Sequence, residues 1–218
     1  MKLGFTPSNA YPNLYFNVDR ERPLILVLYV DDLFLTGVDP LIHQCKRELA
    51  SEFEMKDLGL MHYFLGLEVW QRPGEIFLSQ GKYVVKLLKR FGMVDCKSLS
   101  TPVELNFKKL SGNVVGLMLT NPTEYRQLVG ALMFLVKYRS DVCFVVNNLS
   151  QHMVDPHQIH RIGAKNLLRY IRGTINHRLR YNVGSLRLHG YTDADWAGNV
   201  VDRKRTYGCC FTLGSSSR

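Results

Sequence analysis

The sequence predicts an α+β fold in which a β-hairpin, a run of amphipathic helices and a final pair of strands follow one another. Three observations lead to this prediction. Apolar runs of strand length, residues 24–28 and 33–37, flank a four-residue YVDD segment. Apolar residues recur at helical spacing over residues 40–53, 79–91 and 121–173. Alternating or clustered strand residues return at 187–192 and 205–213.

The first hairpin carries the most informative residues. Asp31 and Asp32 are adjacent carboxylates at the tip of an otherwise apolar hairpin. A two-residue hairpin turn prefers Asn-Gly, Asp-Gly or a leading glycine, because the favoured turns require positive φ. Val30-Asp31 fits this preference poorly, which predicts local strain of the kind that persists at functional sites. The simpler alternative is a solvated turn, but the apolar flanks favour a site for a divalent metal.

The helices are predicted from their ends as well as their spacing. Asp39-Pro40 has the pattern of an N-cap and a first-turn proline, and the helix runs to about residue 53. Residues 63–70 and 76–78 are predicted to form a second hairpin that turns at Pro73-Gly74. A helix over 79–91 ends before Gly92. After a connection without clear periodicity, Asn121 caps a third helix, and two more are expected near 141–153 and 156–173.

Composition excludes several classes of protein. The apolar fraction of 46% and charged fraction of 22% are typical of a globular protein. No apolar run reaches the length of a membrane span and no signal-peptide core is visible, so no membrane association and an intracellular location, in cytoplasm or nucleus, are expected. Five scattered cysteines without zinc-site spacing predict reduced thiols.

The net charge of +9 is unevenly distributed. Residues 1–109 have 14 Lys+Arg and 13 Asp+Glu, whereas residues 110–218 have 14 and 6. Two helices are predicted to carry cations along one side, where they are candidates for contacts with nucleic-acid phosphates. These residues are Lys82, Lys86, Lys89 and Arg90 on one helix and Arg161, Lys165, Arg169 and Arg172 on the other. On the second helix, the spacing predicts that the core is faced by Ile162, Leu167, Leu168 and Ile171. For the second of these helices, the residues alone leave a solvated helix face as an equal alternative.

The ordered motifs resemble the Pol polyprotein of copia-type long-terminal-repeat retrotransposons. The resemblance covers nearly the whole chain, and its number of ordered matches makes chance agreement improbable, although YVDD alone would be weak evidence. The matching segments are residues 29–32 (YVDD), 53–59 (FEMKDLG), 63–69 (YFLGLEV), 78–83 (LSQGKY), 101–102 (TP), 125–130 (YRQLVG), 168–174 (LRYIRGT) and 190–198 (GYTDADWAG).

The resemblance implies a domain organisation and a chemistry. Residues 1–110 correspond to the C-terminal part of a reverse-transcriptase palm and the thumb, 111–183 to a helical connection, and 184–218 to the truncated start of a ribonuclease H-like α/β domain. Asp31 and Asp32 match the polymerase carboxylates that bind Mg²⁺, and Asp193 matches the first metal-binding aspartate of ribonuclease H. The implied partners are an RNA template, a DNA primer and the RNA/DNA hybrid, with deoxynucleoside triphosphates bound only in an intact enzyme.

The departures from the family pattern limit the activity expected of this chain. The family needs a further palm aspartate and nucleotide-binding fingers, neither of which is present, and ribonuclease H needs more residues than 193–218. Asp19 and Glu21 lie in a predicted polar turn, rather than at a strand end, and are not expected to replace the missing aspartate. The chain alone is therefore expected to be inactive. The alternatives are a non-catalytic RNA/DNA-binding module and a degenerate transposon relic.

Overall fold

A computed structural model describes residues 4–19, 22–103, 117–184, 187–195 and 206–214, and for residues 19, 193–195 and 206–207 the backbone alone. The described part is mixed α and β, in agreement with the predicted α+β class. The chain divides into two compact units, residues 1–59 and 60–218. The functional boundaries placed after residues 110 and 183 stay predictions.

The first unit is a four-stranded antiparallel sheet with one helix. Strands β1 (Thr6–Pro7), β2 (Leu14–Asp19), β3 (Arg22–Tyr29) and β4 (Asp32–Thr36) lie in the order β1-β2-β3-β4, and helix α1 spans Asp39–Glu52. The predicted hairpin is therefore confirmed as β3 and β4. One face of the sheet packs with α1 around a small buried core of Phe5, Leu24, Leu26, Cys45 and Leu49.

Helix α1 begins one residue earlier than predicted. Asp39 was expected to be the N-cap, but Val38 occupies that position with extended backbone and no side-chain cap. The carbonyl of Val38 accepts hydrogen bonds from the amides of both Leu41 and Ile42. Asp39 instead lies in the first helical turn, where its negative charge interacts favourably with the positive end of the helix dipole.

The second unit begins with strands β5 (Tyr63–Phe64), β6 (Leu67–Arg72) and β7 (Glu75–Ser79), which are joined by β8 (Leu179–Asn182) from much later in the chain. The turn at Pro73-Gly74 is confirmed, with Gly74 at φ +78°. The single strand predicted over 63–70 is wrong, because the chain reverses at Leu65-Gly66. Both residues have positive φ, 48° and 84°, so Phe64 pairs back onto Leu67.

Helices build the main core of the second unit. They are α2 (Gly81–Arg90), α3 (Pro122–Val136), α4 (Ser140–Ser150) and α5 (Gln158–Gly173), close to the predicted spans. Asn121 caps α3 as predicted, since its side chain accepts a hydrogen bond from the Thr123 amide at 3.0 Å. The inward positions predicted on α5 are confirmed for Leu167, Leu168 and Ile171, which are buried. Ile162 was expected to face the core, but it is 50% exposed.

The last described elements are β9 (Leu188–Asp195) and β10 (Thr206–Leu213), which pair antiparallel as a two-stranded sheet. The predicted strands at 187–192 and 205–213 agree with them. Trp196, Arg205 and most of the predicted connection, residues 104–116, lie outside the described residues. Among the described residues, no helix is both long and apolar enough to cross a membrane.

Candidate metal centre and nucleic-acid interface

The turn that carries the two carboxylates is strained, as its sequence predicts. Tyr29 pairs with Asp32, so Val30 and Asp31 form a two-residue loop between β3 and β4. Val30 has φ +52° and Asp31 is not in the positive-φ region, a pattern in keeping with a type II′ turn that ordinarily takes glycine first. A β-branched residue at positive φ costs about 1–3 kcal/mol. The fold therefore retains an unfavourable residue next to the carboxylates.

Asp31 and Asp32 are both exposed. Asp32 lies directly opposite Tyr29, and paired residues share a sheet face. Leu26 and Leu24 are on the opposite face, packed with α1, because side chains alternate along β3. Asp32 thus projects from the face of the sheet that α1 does not cover. Exposed carboxylate oxygens are ligands that suit Mg²⁺, which keeps several waters when it binds.

The carboxylate pair is an incomplete ligand set within the described residues. No group of three or more His, Cys, Asp or Glu side chains in the described part of the chain is arranged to hold a metal ion. Asp19 is the last residue of β2 and pairs with Arg22. The prediction that Asp19 lies in a turn rather than at a strand end was therefore wrong. Arg22 and Tyr29 are seven residues apart on β3, about 23 Å at strand rise. Asp19 is therefore at the far end of the hairpin from Asp31 and Asp32.

Helix α2 presents three of its four predicted cations on the side away from its core. Val84, Leu87 and Leu88 are buried, and the helical periodicity places Lys82, Lys86 and Lys89 on the opposite side. Lys86 and Lys89 are exposed, and no ion pair involves either within the described residues. Lys82 Nζ lies 3.6 Å from Glu68. Arg90 points sideways, and its Nη2 donates to Gln127 on α3 at 3.1 Å.

Most cations of the α5 stripe have structural partners. Arg161 Nη2 lies 3.1 Å from the Glu124 carboxylate. Arg169 Nε donates to the carbonyl of Lys97 at 2.8 Å, and Arg172 Nε donates to the carbonyl of Val94 at 3.1 Å. These two arginines hold the loop that follows α2 against the end of α5. Lys165, the fourth member, is partly exposed. The cations are thus present along α5, but most of them are already in contact with protein groups, so this surface is less available to a ligand than the exposed side of α2.

Glu68 is a positioning residue that the sequence did not reveal. It is 7% exposed on β6, and its Oε2 accepts a hydrogen bond from the Lys82 amide at 3.2 Å. A carboxylate at this place satisfies a free amide at the start of α2 and complements the helix dipole. Glu68 thereby fixes the lysine-bearing helix to the sheet. The only signal in the sequence was a charged residue inside an apolar strand pattern.

Asp193, the candidate ribonuclease H carboxylate, lies in β9 of the second unit, where its backbone pairs with Gly208. Its side chain is outside the described atoms. Whether it binds a metal therefore stays a prediction, as does the metal-binding role of Asp31 and Asp32.

Comparisons with known proteins agree with the motif pattern. The family described as "Reverse transcriptase (RNA-dependent DNA polymerase)" matches residues 1–105. An uncharacterized mitochondrial protein of Arabidopsis thaliana is 41% identical over 193 residues, which is 88% of this chain and 79% of that protein. The retrovirus-related Pol polyprotein from transposon RE1 of the same plant is 39% identical over 98% of this chain.

This chain belongs to the reverse-transcriptase family of copia-type transposon Pol polyproteins. A putative transposon Ty5-1 protein of Saccharomyces cerevisiae is a further member, 34% identical over 97% of this chain and 69% of its own length. The chain spans about 15% of the RE1 polyprotein. No solved structure matches significantly. The expected family is confirmed, whereas the activity of a whole polyprotein is not thereby transferred to these 218 residues.

Proposed function

We propose that this chain is the part of a retrotransposon reverse transcriptase that carries the palm hairpin and the helices contacting the RNA/DNA hybrid. The observation that supports this most directly is the exposed Asp31-Asp32 pair on a strained turn. A carboxylate pair at a hairpin tip is accessible to metal ions from the solvent. The reaction to which it contributes is RNA-directed DNA synthesis from deoxynucleoside triphosphates.

Asp31 and Asp32 have the donor chemistry that fits Mg²⁺. These two side chains would hold Mg²⁺, which when bound would supply activation of the primer 3′ hydroxyl and neutralisation of charge on the triphosphate. Asp31 is the more direct ligand in this proposal, as the resemblance to the family's paired polymerase carboxylates implies. Val30 and the β3–β4 pairing hold both side chains at one end of a rigid hairpin, which is the positioning that such chemistry requires.

The chain alone is proposed to be inactive as a polymerase. The described carboxylates include no third ligand near the turn. In the part of the chain that the structure describes, however, strand β4 lies at the edge of its sheet, so another strand could pair with its outer backbone groups. A carboxylate on a strand added beside β4 would come close to Asp32. We propose that this edge is where a complete enzyme supplies its remaining ligand.

The hybrid-binding surface is proposed to be the exposed side of α2. Lys86 and Lys89 stand free of described ion pairs, so they can neutralise phosphates without first breaking a contact. Arg161, Arg169 and Arg172 are assigned a supporting role, because each already holds a neighbouring group. The ribonuclease H role of Asp193 and a location inside the cell, in cytoplasm or nucleus, remain part of the proposal.

Binding of a fluorescein-labelled RNA/DNA hybrid tests the α2 surface. Replacing Lys86 and Lys89 with alanine should weaken binding and reduce the slope of log K against log salt by about 1.8, from two lost phosphate contacts. The control replaces Arg47 and Lys56, two exposed cations of the first unit, and removes the same charge. Equal slopes for the Lys86/Lys89 variant and the parent would refute the assignment.

A non-catalytic RNA/DNA-binding module is the second candidate function. It is favoured by the contrast between an accessible cationic helix and an incomplete carboxylate set. The two candidates differ in their response to Asp31→Asn, which removes a metal ligand without touching α2. If Mg²⁺ strengthens hybrid binding by the parent but not by Asp31→Asn, the metal-binding role is supported. No difference between them would favour the module.

If the chain were a degenerate transposon relic, it would be expected to fold poorly. Among the described residues, the helical core of the second unit contains 17 buried hydrophobic residues, which favours specific packing over a collapsed remnant. We expect a cooperative thermal transition by circular dichroism. A gradual, non-cooperative loss of signal would support the relic instead.

A further inference from the structure

One face of the β5–β8 sheet carries a row of aromatic and arginine side chains. Trp70 on β6 lies opposite Phe77 on β7, and Phe77 lies opposite Arg180 on β8. Residues directly opposite each other project from the same face, with Cβ atoms about 5 Å apart. The three side chains therefore form a continuous row across three strands.

Two further arginines complete this surface. The guanidinium carbon of Arg178 lies 4.4 Å from the centre of the Trp70 ring, and that of Arg72 lies 5.7 Å from the centre of Phe77. The guanidinium carbon of Arg180 lies 6.0 Å from the centre of the Phe77 ring, and this guanidinium forms an ion pair with the Glu75 carboxylate. Arg72 and Arg178 have no acidic partner among the described residues, so the surface keeps a positive charge.

The surface is accessible. Trp70 is 36% exposed, and the side chains of Arg72 and Arg178 are exposed. An exposed cation–π contact is weak, so a ligand can displace it. Flat aromatic rings beside guanidinium groups form a surface that is both apolar and cationic. Unpaired nucleobases stack on such rings while arginines contact the adjoining phosphates.

We propose that this face binds single-stranded nucleic acid, with a base stacked on Trp70 and phosphates held by Arg72 and Arg178. A duplex offers no free base faces for stacking, so the ligand differs from the hybrid assigned to α2. The proposal goes beyond the proposed polymerase function, because it needs neither Asp31 nor the lysines of α2. It adds a second nucleic-acid surface to the second unit.

Fluorescence anisotropy of labelled oligo(dT) and oligo(rU), each about 12 nucleotides long, tests the proposal. Trp70→Leu should bind both roughly 5- to 150-fold more weakly than the parent, whereas Trp70→Phe, which keeps a ring, should retain most of the affinity. Arg178→Gln should weaken binding and lower its salt dependence, whereas Arg47→Gln in the first unit should do neither. If these variants weaken binding of only one of the two oligonucleotides, the result still supports the site and identifies whether it prefers RNA or DNA.

A second readout does not depend on a variant of Trp70. Trp70 and Trp196 are the two tryptophans of the chain, so Trp196→Phe leaves Trp70 as the sole indole fluorophore. Saturable quenching of its emission by the oligonucleotide is expected. Absence of quenching at saturation would overturn the proposal, as would unchanged single-strand affinity in a folded Trp70→Leu variant.

The controls separate this site from the α2 surface. Lys86 and Lys89 changed to alanine should weaken hybrid binding and leave single-strand binding nearly unchanged, and Trp70→Leu should do the reverse. If Trp70→Leu weakens both ligands equally, the separate site is refuted. Polyglutamate and unlabelled oligonucleotide are also compared as competitors at equal total charge. If polyglutamate displaces the labelled oligonucleotide equally effectively, the face is a site for acidic protein and the proposal is overturned.

Discussion

Val30→Gly tests the strain assigned to the carboxylate turn. Val30 has φ +52° and is 78% exposed, so glycine relieves the backbone while removing little buried surface. The relieved strain is about 1–3 kcal/mol. Glycine costs about 0.5–1 kcal/mol through the freedom of the unfolded chain, and the lost contacts cost about 0.5 kcal/mol. We therefore expect the first unit to become more stable by roughly 1 kcal/mol.

Val18→Gly is the matched control. Val18 lies in β2 of the same sheet, is 60% exposed and does not have positive φ. The same substitution there carries the entropic and packing costs without relieving strain, so it should destabilise by about 1 kcal/mol. The difference between the two variants isolates the strain at Val30.

Amide hydrogen exchange of β3 gives the free energy of opening of this unit, independently of the second. The stability of Val30→Gly should exceed that of Val18→Gly by about 2 kcal/mol, the sum of a gain and a loss of about 1 kcal/mol each. If both variants destabilise β3 equally, the turn stores no strain and the reasoning fails.

Two further predictions concern the helical core. Asn121→Ala removes the α3 cap and should destabilise the second unit by about 1 kcal/mol in urea unfolding, whereas Asn147→Ala, exposed within α4, should not. Burial, with a smaller contribution from the charge of His157, lowers the pKa of His152. The unfolded chain therefore binds a proton at His152 more readily than the folded chain does. The free energy of unfolding of the second unit should accordingly fall as pH decreases below about 6.5. His152→Phe keeps an aromatic ring beside His160 and should lose less stability between about pH 7.5 and 5.5; equal losses would contradict the assignment.

Local sequence signals predicted the elements whose ends are determined by local chemistry. Pro73-Gly74 and Gly92 lie where the backbone requires positive φ at glycine, and Asn121 is an effective cap. The Val30-Asp31 turn was identified by its poor fit to turn preferences. These features depend on a few neighbouring residues, so a sequence window contains the information that determines them.

Features that depend on distant parts of the chain were missed. Strand β8 pairs with β7 although about 100 residues separate them, and a short strand gives little periodicity to detect. The break at Leu65-Gly66 was hidden because Leu65 is a non-glycine residue at positive φ. Arg169 and Arg172 formed the predicted stripe, but their carbonyl partners come from a loop more than 70 residues earlier.

The positions of the candidate site residues were predicted only in part, and their role as a metal site stays a prediction. Asp31 and Asp32 were found from the hairpin pattern, and their exposure at the turn follows from it. Locating Asp19 required the strand register. Asp19 pairs with Arg22, at the end of β3 that is farthest from the carboxylate turn. A slip of one residue in this pairing would move its side chain to the other face of the sheet. The contribution of Glu68 required the packing of α2 on β6.

Primer extension on an RNA template with Mg²⁺ tests the central claim most directly. The 218-residue chain should leave a hybridised DNA primer unextended, at protein concentrations where anisotropy shows the hybrid to be bound. That result is predicted because Asp31 and Asp32 lack a third described ligand, while the α2 surface is intact. Nucleotide incorporation that Asp31→Asn abolishes would contradict the account.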